Sequence, residues 1–362
     1  MRLSRSHSHP IAGLAVAVIL AGAAGDAAAA GPREATRARY LMGTMLRVTV
    51  NGPAEERTFE AAFDEVARLE SVLSNWDDDS EVSRLNRAAA ATPFRCSPDL
   101  YAALEDALRW AAATGGTFDP TVEPLVAALG LRDPEDRSPS VTTAVRTAGT
   151  PGPVGWDGVR LDRAGRTASF RTAGMGIDFG GIGKGIALDA AALRLRERGV
   201  RSALLDFGGQ VLAIGAPAGR PGWETGVADP VQRDRPVLGI RLRDLSAATS
   251  GNSERGGRSG HLLDPRRGAP APFGGTVTVV AADGTSADAL STALFVMGPA
   301  DGMRFARDRG IAAAFLWRDC DSRLRTRTTS EFEVFLDGVR TRRHGPARIG
   351  REEGAGMVPP GR

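Results

Sequence analysis

Apolar and polar positions along the 362-residue chain change period several times, and each change marks a predicted element. Across Arg39–Asn51 (RYLMGTMLRVTVN) the two alternate, which predicts one strand with Gly43 as a bulge or close-approach point. From Ala54 to Leu73 the period lengthens, so Phe59, Phe63, Val66 and Leu73 share one face of a helix. Ser74–Asn86 is a polar loop entering a short helix capped by Ser80, with Ser83 and Asn86 behind it. Ser97–Ala113 predicts a helix capped by Ser97 and closed by Gly115-Gly116, and Asp119-Pro120 begins another. Gly130–Pro153 is a long connection, and Trp156–Leu161 with Thr167–Arg171 predicts a hairpin about Ala164-Gly165. A helix over Lys184–Gly199 then precedes strands at Ser202–Leu205, Gln210–Ile214, Trp223–Val227, Leu238–Leu242, Gly275–Ala281 and Ile311–Trp317. Helices fit Ser286–Met297 and Pro299–Asp308. Strands and helices without regular alternation imply an α+β fold of mixed sheets with packed helices.

The ends of the chain read differently. Arg2 and Arg5 precede an apolar run, Ile11–Leu20, and Ala28 and Ala30 follow with A-x-A spacing. This predicts a secretory signal peptide over residues 1–30, cleaved after Ala30, with an apolar run too short to span a membrane. No cysteine lies near the cleavage point, so a soluble periplasmic protein without a lipid anchor is expected. The composition predicts a folded domain over residues 31–340 and a basic, Gly/Pro-rich, disordered tail over 341–362.

Composition is that of a globular protein, 42% apolar and 25% charged. The net charge is +3 and arginines are interspersed with acids, so there is no nucleic-acid footprint. Cys96 and Cys320 leave pairing and two separate thiols equally open, but they exclude a Cys-rich metal site. His7 and His9 belong to the signal segment and His344 to the tail. His261 is thus the only histidine of the folded body, which excludes histidine-cluster zinc chemistry.

Candidate chemistry centres on Gly174–Asp189 (GMGIDFGGIGKGIALD). Lys184 is the only lysine among 46 basic residues; the rest are arginine. An ammonium is a compact point charge that a guanidinium fork does not replace. Gly180, Gly181, Gly183 and Gly185 surround it, and a helix-prone run follows, an arrangement suited to an anionic ligand. The loop is not a Walker A motif, because Gly185 stands where Ser or Thr is required, nor a dinucleotide fingerprint, because Phe179 stands at a required glycine. Asp288 and Thr292, four apart on a predicted helix, share a face as hard oxygen donors for Mg²⁺, or else are a helix-start aspartate and a threonine bonding its own backbone. Trp76, beside three aspartates, is either a lid on the local core or a stacking surface. Asp264 either orients His261 or starts a turn before Pro265.

Taken in order, MGT, SNWDDDSEVSRLN, GTFDPTVEPLV, DFGGIGKGIALD, LLDFGG, TSGNSERG, HLLDPRRG and ADALSTALFVMG resemble the FAD:protein FMN transferase (ApbE-like) family over about residues 40–335. The resemblance implies a single large two-lobed domain with the FAD site between the lobes. It also implies Mg²⁺-dependent transfer of FMN from FAD to a Thr or Ser hydroxyl of a partner flavoprotein, with release of AMP. Carried over motif by motif, Met42, Trp76, Thr117, Phe118, Asp119, Asp178, Lys184 and Leu263 line the FAD site. The metal ligands become Asp288, Thr292 and the Gly181 carbonyl. Ser253 departs from the aromatic residue frequent at its place. His261 is the candidate base for the acceptor hydroxyl. Two alternatives stand beside transfer: Mg²⁺-dependent FAD hydrolysis to FMN and AMP, and a non-catalytic periplasmic flavin-binding protein, which would need no metal.

Overall fold

The first departure from the expected pattern comes at Met42-Gly43. The computed structural model describes residues 34–131, 153–252 and 260–336. In it Arg39–Asn51 is not one strand but part of a hairpin. Strands β1 (Glu34–Leu41) and β2 (Thr44–Asn51) pair antiparallel with Leu41 opposite Thr44. The two-residue turn between them has φ of 46° at Met42 and 77° at Gly43. Positive φ at both positions gives the turn whose twist matches the strands it joins. Methionine rarely adopts this conformation. Here its N–H donates to Glu70 Oε1 at 2.9 Å, which ties the turn to the next helix. The signal segment, the tail, Ser253 and residues 132–152 of the long connection lie outside the described residues.

Helix α1 (Glu56–Leu73) keeps its expected apolar face, and α2 (Glu81–Ala88) starts at Ser80, whose hydroxyl accepts from Ser83 N at 3.1 Å. After the short β3 (Phe94–Arg95), Ser97 caps α3 (Pro98–Ala113) through Leu100 N. Asp119 then opens a 3₁₀ turn that continues as α4 (Glu123–Ala128). The expected hairpin is β4 (Val159–Asp162) and β5 (Thr167–Phe170). Next come α5 (Gly183–Glu197), β6 (Ala203–Phe207), β7 (Gln210–Ile214), β8 (Trp223–Ala228) and β9 (Pro236–Leu242). The remainder is β10 (Ser246–Gly251), β11 (Leu263–Asp264), β12 (Ala269–Pro270), β13 (Thr276–Ala281), α6 (Gly284–Asp308), β14 (Ala312–Arg318), β15 (Leu324–Thr328) and α7 (Ser330–Glu333). The two helices expected before residue 308 form this single element, broken where Gly298 takes φ of 75° ahead of Pro299. Strand β10, SAATSG, has no large apolar residue and was not expected.

Eight strands form one antiparallel sheet in the order β1-β2-β6-β7-β10-β13-β14-β15. Both of its faces are covered. Leu205, Phe207, Leu212 and Ile214 pack with Phe59, Phe63 and Leu188 under α1 and α5. Beside them, Val277, Val279 and Phe315 pack with Leu294 and Phe295 of α6. The intervening residues Leu204, Val211, Ala314 and Leu316 face the β8–β9 hairpin and Phe332 of α7. Every residue of β6 is therefore buried, and ALLDF is apolar but for Asp206 instead of alternating. The domain is α+β as expected. Cys96 is buried and Cys320 exposed, and both are free thiols; burial and the nearby Glu81 push the Cys96 thiol up to about 11. Among the described residues no helix is long and apolar enough to cross a membrane.

Helices α5 and α6 meet at two glycines. A Cβ on Gly185 would lie 2.2 Å from the Gly284 carbonyl oxygen, and one on Gly284 would lie 2.7 Å from that of Gly185. Gly185 thus serves helix contact, not the close ligand approach its place in the loop suggested. Backbone here has no flexible side chain that can give way. Gly185→Ala should therefore destabilise the fold by about 3 kcal/mol, the upper part of the range for overpacking, measured as a lowered denaturant midpoint. Gly199→Ala, in open space at a helix end, should cost only the strain of its positive φ.

Candidate active site

The α5–α6 crossing also exchanges carboxylates. Asp189 on α5 accepts from the first backbone donors of α6, Gly284 N at 2.6 Å and Thr285 N at 2.8 Å, and from Thr285 Oγ1 at 2.6 Å. In return Asp288 on α6 accepts from Gly185 N at 3.0 Å through Oδ2, in the first turn of α5. Each helix end has orphan N–H groups, and each is satisfied by an acid from its neighbour. Asp288 is 4% exposed, and its other oxygen faces Lys184 Nζ at 3.5 Å. Lys184 itself is about one-third exposed, so the ammonium lies between a buried carboxylate and open space.

Thr292, one turn beyond Asp288, points its hydroxyl at the Gly181 carbonyl oxygen, 3.4 Å away. A Cβ on Gly181 would sit 3.1 Å from Thr292 Cγ2 and 3.2 Å from Phe118 Cε2, so that glycine is needed for the carbonyl to come so close. Asp288, Thr292 and Gly181 therefore converge. They offer one carboxylate, one hydroxyl and one carbonyl, a hard-oxygen set of the kind that suits Mg²⁺; the four-residue spacing pointed to Asp288 and Thr292, and the family resemblance to Gly181. Among the described residues no group of three or more His, Cys, Asp or Glu gathers, so a cation held here would have Asp288 as its carboxylate and complete its shell with neutral oxygens and its own waters.

The glycine loop is held from behind. Asn86 grips the Ile177 backbone with both ends of its amide: Nδ2 donates to the carbonyl at 2.9 Å and Oδ1 accepts from the N–H at 2.7 Å. Asn75 donates to the same carbonyl at 2.7 Å. Asp178 follows, its N–H donating to Pro120 O at 2.7 Å and its carboxylate accepting from Gly180 N at 2.7 Å. Met42 reaches the other end of the loop, with Cε 3.8 Å from where a Gly183 Cβ would stand. Met42, Asp178, Gly181 and Lys184 thus share one rim. Trp76 is 57% exposed next to Asn75, a position open to stacking and not a core lid.

Other predicted ligand residues have their side chains committed to the fold. Asp119 accepts from Thr121 N at 2.8 Å, Thr121 Oγ1 at 2.6 Å and Trp156 N at 3.1 Å; burial pushes its carboxyl above the usual range against those hydrogen bonds. Thr117 donates to Thr114 O at 3.0 Å, and Phe118 is a core residue beneath Gly181. Leu263 packs with Leu125 and Leu129. His261 is half-buried beside the end of β10, where the next amide, Leu262 N, donates to Asn252 Oδ1 at 3.4 Å. Asp264 does not orient His261. Its carboxylate holds Arg266 through N, Nε and Nη2, so it begins a turn. Asp189, Asn75 and Asn86 were not read as site residues; Asn86 had only its place behind the Ser80 cap as a signal.

A family model described as the ApbE family matches residues 42–315, a span that contains the whole rim. The chain belongs to the ApbE family. Among its ApbE-like relatives, a FAD:protein FMN transferase of Treponema pallidum is 34% identical over 327 residues, 83% of this chain and 89% of the relative. The solved flavin transferase ApbE from Vibrio cholerae superposes with a TM-score of 0.75 at 25% identity, covering 84% of this chain and all of that one. The ApbE protein from Thermotoga maritima gives 0.74 at 29% identity, again over 84% of this chain and all of that one.

The Asn86 clamp generates a prediction. Asn86→Ala strands the Ile177 N–H of the glycine loop, while the carbonyl keeps its bond from Asn75, and leaving a buried polar group unpaired costs ~1–3 kcal/mol. The loop should loosen, weakening FAD binding about tenfold by fluorescence titration. Far-ultraviolet circular dichroism should be unchanged.

Proposed function

We propose that this protein transfers FMN from FAD to a threonine or serine hydroxyl of a partner flavoprotein, releasing AMP. The observation that carries the reading is the pairing of Lys184 with buried Asp288, beside the Thr292 hydroxyl and the Gly181 carbonyl. The activity named for its relatives supports it. In this reading FAD lies along the rim of the glycine loop, with Trp76 stacked on an aromatic ring and Met42 and Asp178 alongside. Backbone of Thr117–Asp119 and Leu263 borders it. Lys184 supplies a compact positive charge to the pyrophosphate. Asp288, Thr292 and Gly181 O would hold Mg²⁺, which neutralises pyrophosphate charge and stabilises the leaving phosphate.

The acceptor hydroxyl oxygen bonds to the FMN-side phosphorus. The bond from that phosphorus to the bridging oxygen breaks, and the oxygen leaves with AMP. The hydroxyl proton passes to His261, imidazole being the side chain best suited to general-base work. The signal-like N-terminus supports export to the periplasm with residues 31–340 as the working domain, and the acceptor is then a periplasm-facing flavoprotein.

The test combines the mature protein, FAD, Mg²⁺ and a candidate flavoprotein from the same genome. Covalent flavin fluorescence on a denaturing gel, with stoichiometric AMP, is the expected result. Asp288→Ala should abolish both, and Lys184→Arg should weaken them well beyond a surface substitution. AMP release without labelled acceptor would identify hydrolysis instead.

His261 is tested separately. General-base catalysis contributes ~10²–10⁴-fold, so His261→Ala should slow transfer within that range while FAD affinity is kept. Affinity falling in step with rate would make His261 a ligand-holding residue. No change in either would make it structural.

A further inference from the structure

Behind Thr292 lies a chain of hydroxyls whose direction is decided by donor counting. Ser291, fully buried, contacts the Asp288 carbonyl oxygen at 3.0 Å and Ser250 Oγ at 2.8 Å. A carbonyl only accepts, so the single Ser291 proton goes to Asp288 O. Ser291 must then accept from Ser250, which commits the single Ser250 proton as well. Ser250, 8% exposed on β10, also lies 3.4 Å from Thr292 Oγ1 and has no proton left for it. In that contact Thr292 is the donor. Among the described residues its only other acceptor is Gly181 O, equally distant at 3.4 Å.

These two acceptors differ in what they leave for a cation. A proton on Gly181 O occupies the carbonyl oxygen a cation would use. A proton on Ser250 Oγ leaves that carbonyl and a Thr292 lone pair available to a cation. We propose that Ser250 and Ser291 are positioning residues, a one-way relay Thr292→Ser250→Ser291→Asp288 O that presents the Thr292 hydroxyl to a divalent cation as an acceptor. The proposal rests on the cation reading above. It explains why a strand built of small residues, SAATSG, runs beneath α6 at this point.

The probe is Mn²⁺ alone, titrated into the full-length protein and followed by electron paramagnetic resonance. A parallel measurement is the rise in melting temperature with Mn²⁺. Ser250→Ala removes the outward acceptor and should weaken Mn²⁺ binding about 10–100-fold, as loss of an outer partner of a metal ligand does. Ser250→Thr keeps the hydroxyl and should restore binding. Ser291→Ala frees the Ser250 proton to point at Thr292, reversing the relay, and should also weaken binding although Ser291 is one link further along the relay. Metal-free circular dichroism and melting temperature check the fold of each variant. Wild-type Mn²⁺ affinity in a folded Ser250→Ala or Ser291→Ala protein would overturn the relay. Absence of Mn²⁺ binding by the wild-type protein would overturn the cation site itself, and the relay with it.

Discussion

The site depends on one contact, the crossing of α5 and α6 at Gly185 and Gly284. Two helices come close enough for backbone to touch backbone, and each donates an acid to the other's first turn. Asp189 satisfies α6, and Asp288 satisfies α5. The second of these bonds uses one oxygen of Asp288 and turns the other toward Lys184. A carboxylate 4% exposed is costly unless it is paired and hydrogen-bonded. Here a backbone N–H and an ammonium supply both conditions. The same crossing brings Thr292 to Gly181, so structural and chemical roles share a few atoms.

How much of this was legible in the sequence varied by residue. Lys184 stood out because composition had replaced every other lysine, and Asp288 and Thr292 because helical spacing puts them on one face. The α1, α3 and β4–β5 elements followed from caps, periodicity and turn residues. Met42 concealed a hairpin, because nothing in its own preferences announces a left-handed turn; the turn is held by Glu70, 28 residues away. Strand β10 was hidden for another reason. Its serines, alanines and threonine carry no period, and it is a strand because its neighbours pair with it.

Glycines and acids were harder to sort. Four glycines around Lys184 looked alike in sequence, yet Gly181 admits Thr292, Gly183 meets Phe179 and Met42, Gly180 turns over Asp178, and Gly185 admits another helix. Asp119, buried, and Asp189, half-buried, are likewise both acids with raised pKa, held up by desolvation against hydrogen bonds to the ionised form. Only tertiary partners distinguish an acid that caps a neighbouring helix from one that braces a local turn.

The sheet order sets when this protein becomes competent. Its first hairpin, β1–β2, has no further strand partner until β6 exists, since Val50 pairs with Ala203, and β10 waits for β13 and β14 to close the other side. Such non-local pairing makes for slow, late assembly. Gly181 and Asp288 become neighbours only after α6 has emerged and docked. A nascent or truncated chain ending before α6 therefore carries the glycine loop and the lysine without their carboxylate partner. The carboxylate that pairs the lysine is thus supplied only once α6 has been made and docked on α5.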